Sequence, residues 1–216
     1  MNTPLPLSLT GFVMPVGNGA VGKTTVSRVL DWVSRGKQIN GKSIDNIRKT
    51  NNLEFEFVTT QQIFGATHFN VTLQFLIPPG QKEADGDSTG RSFERVMEIY
   101  QPSIHRLDVV LFTYDLGKVE TFHDLVYWVD GVGKLMNDAT HFILLGTHLD
   151  QRDENEISNS EIKNGLEYLR REIINIRPNW RGNCTTLEVS CISGENLTIL
   201  LRYLAGSVIK SRQIMP

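Results

Sequence analysis

Apolar and polar positions change period several times along the chain, and each change marks an element. Leu7-Ser8-Leu9-Thr10-Gly11-Phe12-Val13-Met14-Pro15-Val16 is mostly apolar and runs into a glycine, which suits a buried strand. Val26, Val29, Leu30 and Val33 then recur at i, i+3, i+4 and i+7, one face of a helix that should fade near Gly36. Leu53-Glu54-Phe55-Glu56-Phe57 alternates, as a half-buried strand does. Residues 61–66 read as a turn, and Phe69, Val71, Leu73 and Phe75 form one face of the next strand. Two alternating strands with a short link predict an antiparallel pair with one edge member. Ile77-Pro78-Pro79-Gly80-Gln81 breaks the second strand.

The second half alternates buried strands with amphipathic helices. Residues 92–100 read as a helix, and residues 107–115 and 141–146 as buried strands. Between those strands one helix carries Phe122, Leu125, Val126 and Val129. A further helix carries Ile162, Leu166, Leu169 and Ile173, and residues 185–189 form a short strand. The last helix carries Leu197, Leu200, Leu201, Leu204 and Val208, with Ser193 placed to cap it. Polar stretches at 37–52, 82–90 and 151–160 read as loops, the first long enough to be functional. The pattern predicts an α/β fold: about six strands, mostly parallel, one antiparallel edge strand, helices on both faces.

The candidate chemistry sits where the first strand meets the first helix. Gly17-Asn18-Gly19-Ala20-Val21-Gly22-Lys23-Thr24 fits the phosphate-loop pattern G-x-x-x-x-G-K-S/T at every defined position. Glycines let the backbone curl so that its N–H groups form a nest for phosphates. Lys23 would reach the β- and γ-phosphates as a point charge. Thr24 would place its hydroxyl on Mg²⁺, and the helix beginning near Thr25 would aim its positive end at the phosphates.

Composition narrows this picture. The chain has 216 residues, 40% of them hydrophobic, and a net charge of −2, which fits one globular domain over residues 1–216 with short flexible ends at about 1–6 and 210–216. The charge argues against a nucleic-acid partner held by bulk electrostatics. Cys184 and Cys191 read as free thiols in a reducing cytoplasm, Cys191 as a small packed side chain. No run is long enough to span a membrane, and neither end carries a lipidation pattern, so any membrane attachment would come through a partner.

Two later stretches choose the base. Thr147-His148-Leu149-Asp150 follows one buried strand and Ser190-Cys191-Ile192 follows the next. With residues 17–24 they resemble the small GTPases of the Ras superfamily, which read guanine with an Asn/Thr-Lys-x-Asp motif and a later Ser-Ala-Lys motif. Tyr114-Asp115-Leu116 followed by Thr121-Phe122-His123-Asp124-Leu125-Val126-Tyr127-Trp128 is similar to the fourth strand and third helix of Rab- and Ras-like proteins. Thr50-Asn51-Asn52-Leu53-Glu54-Phe55 resembles the end of switch I, and Gly80-Gln81 resembles switch II. The resemblance covers residues 7–208 and implies the three-layer P-loop NTPase fold.

The resemblance implies slow hydrolysis of GTP to GDP and phosphate by a molecular switch. Lys23 and Mg²⁺ would stabilise the transferring phosphoryl group, Gln81 would orient the attacking water, and Thr50 would close on Mg²⁺. The carboxylate of Asp150 would accept from guanine N1–H and its amine, a pair adenine lacks. Backbone N–H groups of Cys191 or Ile192 would contact guanine O6. Arg48 and Arg91 fall in the presumed switches and read as solvated charges. Expected partners are an activating protein, an exchange factor and, in prokaryotes, Roadblock-type proteins. Two departures stand out: His148 replaces the usual lysine, and Ile77 replaces the aspartate of the Asp-x-x-Gly motif. An x-x-Pro-Gly-Gln sequence lacking that aspartate resembles the prokaryotic MglA-type branch. Asn18 stands where the family often has Asp, at a variable position. The rival readings are a guanine-nucleotide-binding module that does not hydrolyse and an ATP-binding P-loop protein.

Overall fold

The computed structural model describes residues 5–39, 44, 52–80, 92–152 and 157–214. In chain order these form β1 (Leu7–Val16), α1 (Lys23–Ser34), β2 (Glu54–Phe64), β3 (Thr67–Ile77), α2 (Phe93–Tyr100), β4 (Val109–Asp115), α3 (Val119–His123), α4 (Leu125–Gly133), β5 (His141–Thr147), α5 (Asn159–Ile176), β6 (Cys184–Glu188) and α6 (Leu197–Ile214). One six-stranded sheet runs in the order β2-β3-β1-β4-β5-β6. Only β2 and β3 pair antiparallel, and β2 is an edge, as the alternation predicts.

The period of two along each strand divides the core into two layers. Val13, Val109, Leu111, Ile143 and Leu145 turn to one face, where Val26, Val29 and Leu30 of α1 and Leu197, Leu200, Leu204 and Val208 of α6 cover them. Met14, Val110, Phe112, Tyr114, Phe142 and Leu144 turn to the other, against Phe93 and Val96 of α2, Trp128 and Val129 of α4, and Ile162 and Ile173 of α5. The side chain of Val208 on α6 packs directly onto Gly11 of β1, where a Cβ would lie 2.2 Å from a Val208 methyl, so any larger residue would push that contact apart. The chain leaves β1 toward β3 on one side and later crosses to β4 on the other. A sheet wound this way opens a ligand crevice beyond the C-terminal end of β1, where residues 17–22 lie.

Three expectations need correction. Residues 61–66 do not form the turn: β2 continues to Phe64 and only Gly65 and Ala66 turn, because Gln61 and Gln62 pair with Asn70 and Phe69 across the ladder. The helix through Phe122 and Val129 is two helices meeting at Asp124, and Val126 is exposed rather than core. Ser193 does not cap the last helix: α6 starts after Asn196, whose φ is +59°, and Ser193 Oγ accepts the Glu195 N–H instead. Gly36 does end α1, with φ +66°.

Candidate functional site

The loop from Gly17 to Gly22 takes its shape from left-handed backbone. Gly17 has φ +140°, and a Cβ there would lie 2.1 Å from Thr113 O on β4. Ala20 and Gly22 have φ of +62° and +87°. Gly22 is the N-cap of α1 and no side chain caps that end, which leaves its N–H groups facing the loop. Lys23 is buried and donates from Nζ to Gly17 O and Asn18 O, both at 2.7 Å. Its ammonium therefore lies across the mouth of the nest. Burial pushes the Lys23 pKa down to about 7. Thr24 is buried in the first turn of α1, and Thr25 is half-buried beside it.

The segment after β5 is bolted to this loop. Thr147 Oγ1 lies 2.9 Å from Val21 O and 2.9 Å from Tyr114 O, so one hydroxyl bridges the loop and β4. His148 has φ +59°, and its Nδ1 lies 3.1 Å from Thr147 Oγ1 and 3.2 Å from Asp115 Oδ1. The imidazole is thus held by the buried carboxylate of Asp115, which also accepts the Gly117 N–H and faces Lys118. Asp150 is exposed at the rim, where the fully buried Ser190 donates from Oγ to its Oδ1 at 2.5 Å. Ser190 Oγ in turn accepts the N–H groups of Ile192 and Ser193. Cys191 is a packed thiol, its pKa pushed up to about 12 chiefly by burial and further by the Asp150 charge.

The third wall is the end of β3. A Cβ on Gly80 would lie 2.5 Å from the C and O of Asn18 and from the N of Gly19, so residue 80 must be glycine to rest on the phosphate loop. Ile77 is wholly buried in the layer under α1. Thr50 and Gln81, with Arg48 and Arg91, lie outside the described residues. Of the other expected site residues, Thr147 reaches Val21, Gly80 rests on Asn18 and Gly19, and Ser190 reaches Asp150, so these segments adjoin one another.

Two features were not legible as site features. Asn18 donates from Nδ2 to Asp124 Oδ2 at 2.6 Å and accepts from Trp128 Nε1 at 3.1 Å. Nothing in the sequence spacing links residue 18 to the α3–α4 junction. Glu54 pairs directly with Ile77 across the β2–β3 ladder. Directly opposed residues share a face, here the α1 side, where Arg28 of α1 lies 3.7 Å from Glu54 Oε2. Glu56 takes the closer pairing with Arg28 Nε at 2.8 Å, and the buried Glu54 Oε2 has no hydrogen-bond partner. Beyond the longer ion pair with Arg28, that oxygen is left without a hydrogen bond across the ladder from Ile77. Among the described residues, no three or more His, Cys, Asp or Glu gather as a metal cluster.

Among the described residues, no helix is long and apolar enough to cross a membrane. No curated protein matches the chain. The Ras family model matches residues 87–175, less than half of the chain, from ahead of α2 to the last turn of α5. Thr147 to Asp150 fall within that match, whereas the phosphate loop and Ser190 fall outside it and point the same way independently. Sheet, loop and match together support a small GTPase of the Ras superfamily, a guanine-nucleotide-binding switch.

Proposed function

We propose that the chain is a single G domain that binds GTP and GDP in the crevice between residues 17–25, 80 and 147–150 and slowly hydrolyses GTP. The observation that carries this reading is the Thr147 hydroxyl, which ties the base-reading segment to the phosphate loop at Val21. A nucleoside phosphate with its phosphates on residues 17–24 then presents its base to Asp150. The Asp150 carboxylate accepts from guanine N1–H and the exocyclic amine, while Ser190 holds that carboxylate in place. Adenine would leave the carboxylate unpaired.

In the hydrolytic step Lys23 moves its ammonium from the Gly17 and Asn18 carbonyls onto the β- and γ-phosphates. Gln81 orients water at the γ-phosphate, next to Gly80, and Thr50 closes from the first switch. Mg²⁺, when bound, would supply charge neutralisation at the phosphates. Thr24 would hold it, with Glu54 supplying the carboxylate that Ile77 cannot. The Ile77-Pro78-Pro79-Gly80-Gln81 sequence is the basis for placing the chain near the prokaryotic MglA-type branch, with protein regulators and effectors as partners.

Displacement of a fluorescent GDP by unlabelled nucleotides tests the base assignment. GDP and GTP should compete about 100-fold better than ADP and ATP, and Asp150→Ala should erase most of that preference. Equal competition would falsify the guanine reading. Ile77 favours a second reading, binding without hydrolysis. Single-turnover measurements with and without Mg²⁺ separate the two, since only the enzyme releases phosphate faster than buffer does.

A further inference from the structure

The side chain of Asn18 points away from the crevice and into the α3–α4 junction. Its two polar atoms meet partners of opposite kind: the Asp124 carboxylate accepts from Nδ2 and the Trp128 indole donates to Oδ1. Only one orientation of the amide satisfies both, because a carboxylate cannot donate and an indole cannot accept. Asp at this position would set two carboxylates against each other at 2.6 Å, so this chain's departure from the family's usual acid is matched to Asp124.

The same residues touch both flanks of the second switch. The peptide between Asn18 and Gly19 is the surface on which Gly80 rests. Trp128 is wholly buried, and its ring meets Phe93, the first residue of α2, edge to face at 5.2 Å. Gly131 makes room for that ring, since a Cβ there would lie 2.5 Å from Phe93. Asn18 O also takes one of the two hydrogen bonds from Lys23 Nζ. When Lys23 transfers to a phosphate, that carbonyl loses its partner, and the side chain of Asn18 remains what anchors the peptide.

We infer that Asn18 is a positioning residue: through Asp124 and Trp128 it fixes the height of the phosphate loop against Gly80 and conveys displacement of the loop to α2 by way of Phe93. This role rests on the reading of residues 17–24 as a phosphate site.

The test inverts the polarity of the pair. Release of fluorescent GDP, and the ratio of affinities for a non-hydrolysable GTP analogue and GDP, are measured for the unaltered protein, Asn18→Asp, Asp124→Asn and the double variant. Asn18→Asp should speed release on the order of tenfold and lower the affinity ratio. The double variant should return both to within about threefold of the unaltered protein, because donor and acceptor merely exchange places. A double variant as fast as Asn18→Asp, or a single variant as slow as the unaltered protein, overturns the role. A residue that only stabilised the fold would leave the affinity ratio unmoved. Should Asn18→Asp not fold, the indole N–H resonance of Trp128 in the unaltered protein decides: it should shift when the analogue replaces GDP, and an unchanged resonance overturns the proposal. If the unaltered protein holds ADP instead, the guanine reading fails while the same four release rates, taken with ADP, still decide the role of Asn18. A protein that holds no nucleotide overturns both.

Discussion

Lys23 shows how one buried residue couples protonation to ligand binding. Burial lowers its pKa to about 7, so at pH 8 the nucleotide-free protein holds the amine largely neutral. Phosphate oxygens favour the ammonium, so loading at pH 8 should take up close to one proton, and loading at pH 6 close to none. Affinity should fall as pH rises through about 7. Stability runs the other way. Between about 7 and 10.5 the unfolded chain keeps the lysine proton and the folded one has lost it, so the nucleotide-free protein gains stability as pH rises across that window. Calorimetry of GDP binding in buffers of different ionisation heat measures the uptake, and identical heats at pH 8 would sink the prediction. The His148 imidazole is engaged by Asp115 and Thr147, partners set by the β4–β5 pairing and the left-handed backbone at residue 148.

Among the elements, the β2–β3 pair bears most on the proposed metal site, because its register sets Glu54 across from Ile77. Glu54→Gln should raise the Mg²⁺ concentration needed to retain GDP by about tenfold or more. Glu56→Gln, which removes only the closer ion pair with Arg28, should leave that requirement in place. Manganese binding followed by electron paramagnetic resonance reads the same difference without turnover. An unchanged metal requirement in Glu54→Gln excludes it from the metal site. The elements themselves were largely legible. Strand alternation, continuous apolar runs and helix period 3.6 located all six strands and every helix but the α3–α4 division, because each faces a core on at least one side. The ends were less so. Polarity at Gln61 and Gln62 suggested a turn where ladder hydrogen bonds hold a strand, and Asp124 divides what periodicity read as one helix. The site divided the same way. Residues 17–24, Thr147 and Asp150 were readable because their spacing is local. The Asn18–Trp128 and Glu54–Ile77 pairings were not, because tertiary packing alone brings those residues together.

At the scale of the whole molecule, stability and chemistry occupy opposite ends of the sheet. Asp108 lies just before β4, wholly buried, and accepts from the Phe12 N–H, Ser211 Oγ and Arg106 Nε at 2.9, 2.8 and 2.8 Å, with Arg212 3.5 Å away. This network clamps the end of α6 to the N-terminal end of β4. Asp108→Asn leaves two guanidinium groups short of a partner charge and should cost about 3 kcal/mol in urea unfolding. GDP affinity of the folded fraction should be unaffected, since the crevice lies beyond the other ends of the strands. A parallel loss of affinity would mean that the two ends are coupled. The bridge from Thr147 to Val21 carries a further consequence. In the proposed site, base and phosphates would be gripped by segments joined through that bond, so a nucleotide would meet them as a two-handed ligand meets a chelator. Once one end is seated, the other faces a high local concentration of its receptor. Guanosine alone and pyrophosphate alone should each bind poorly, and joining them should multiply rather than add their affinities.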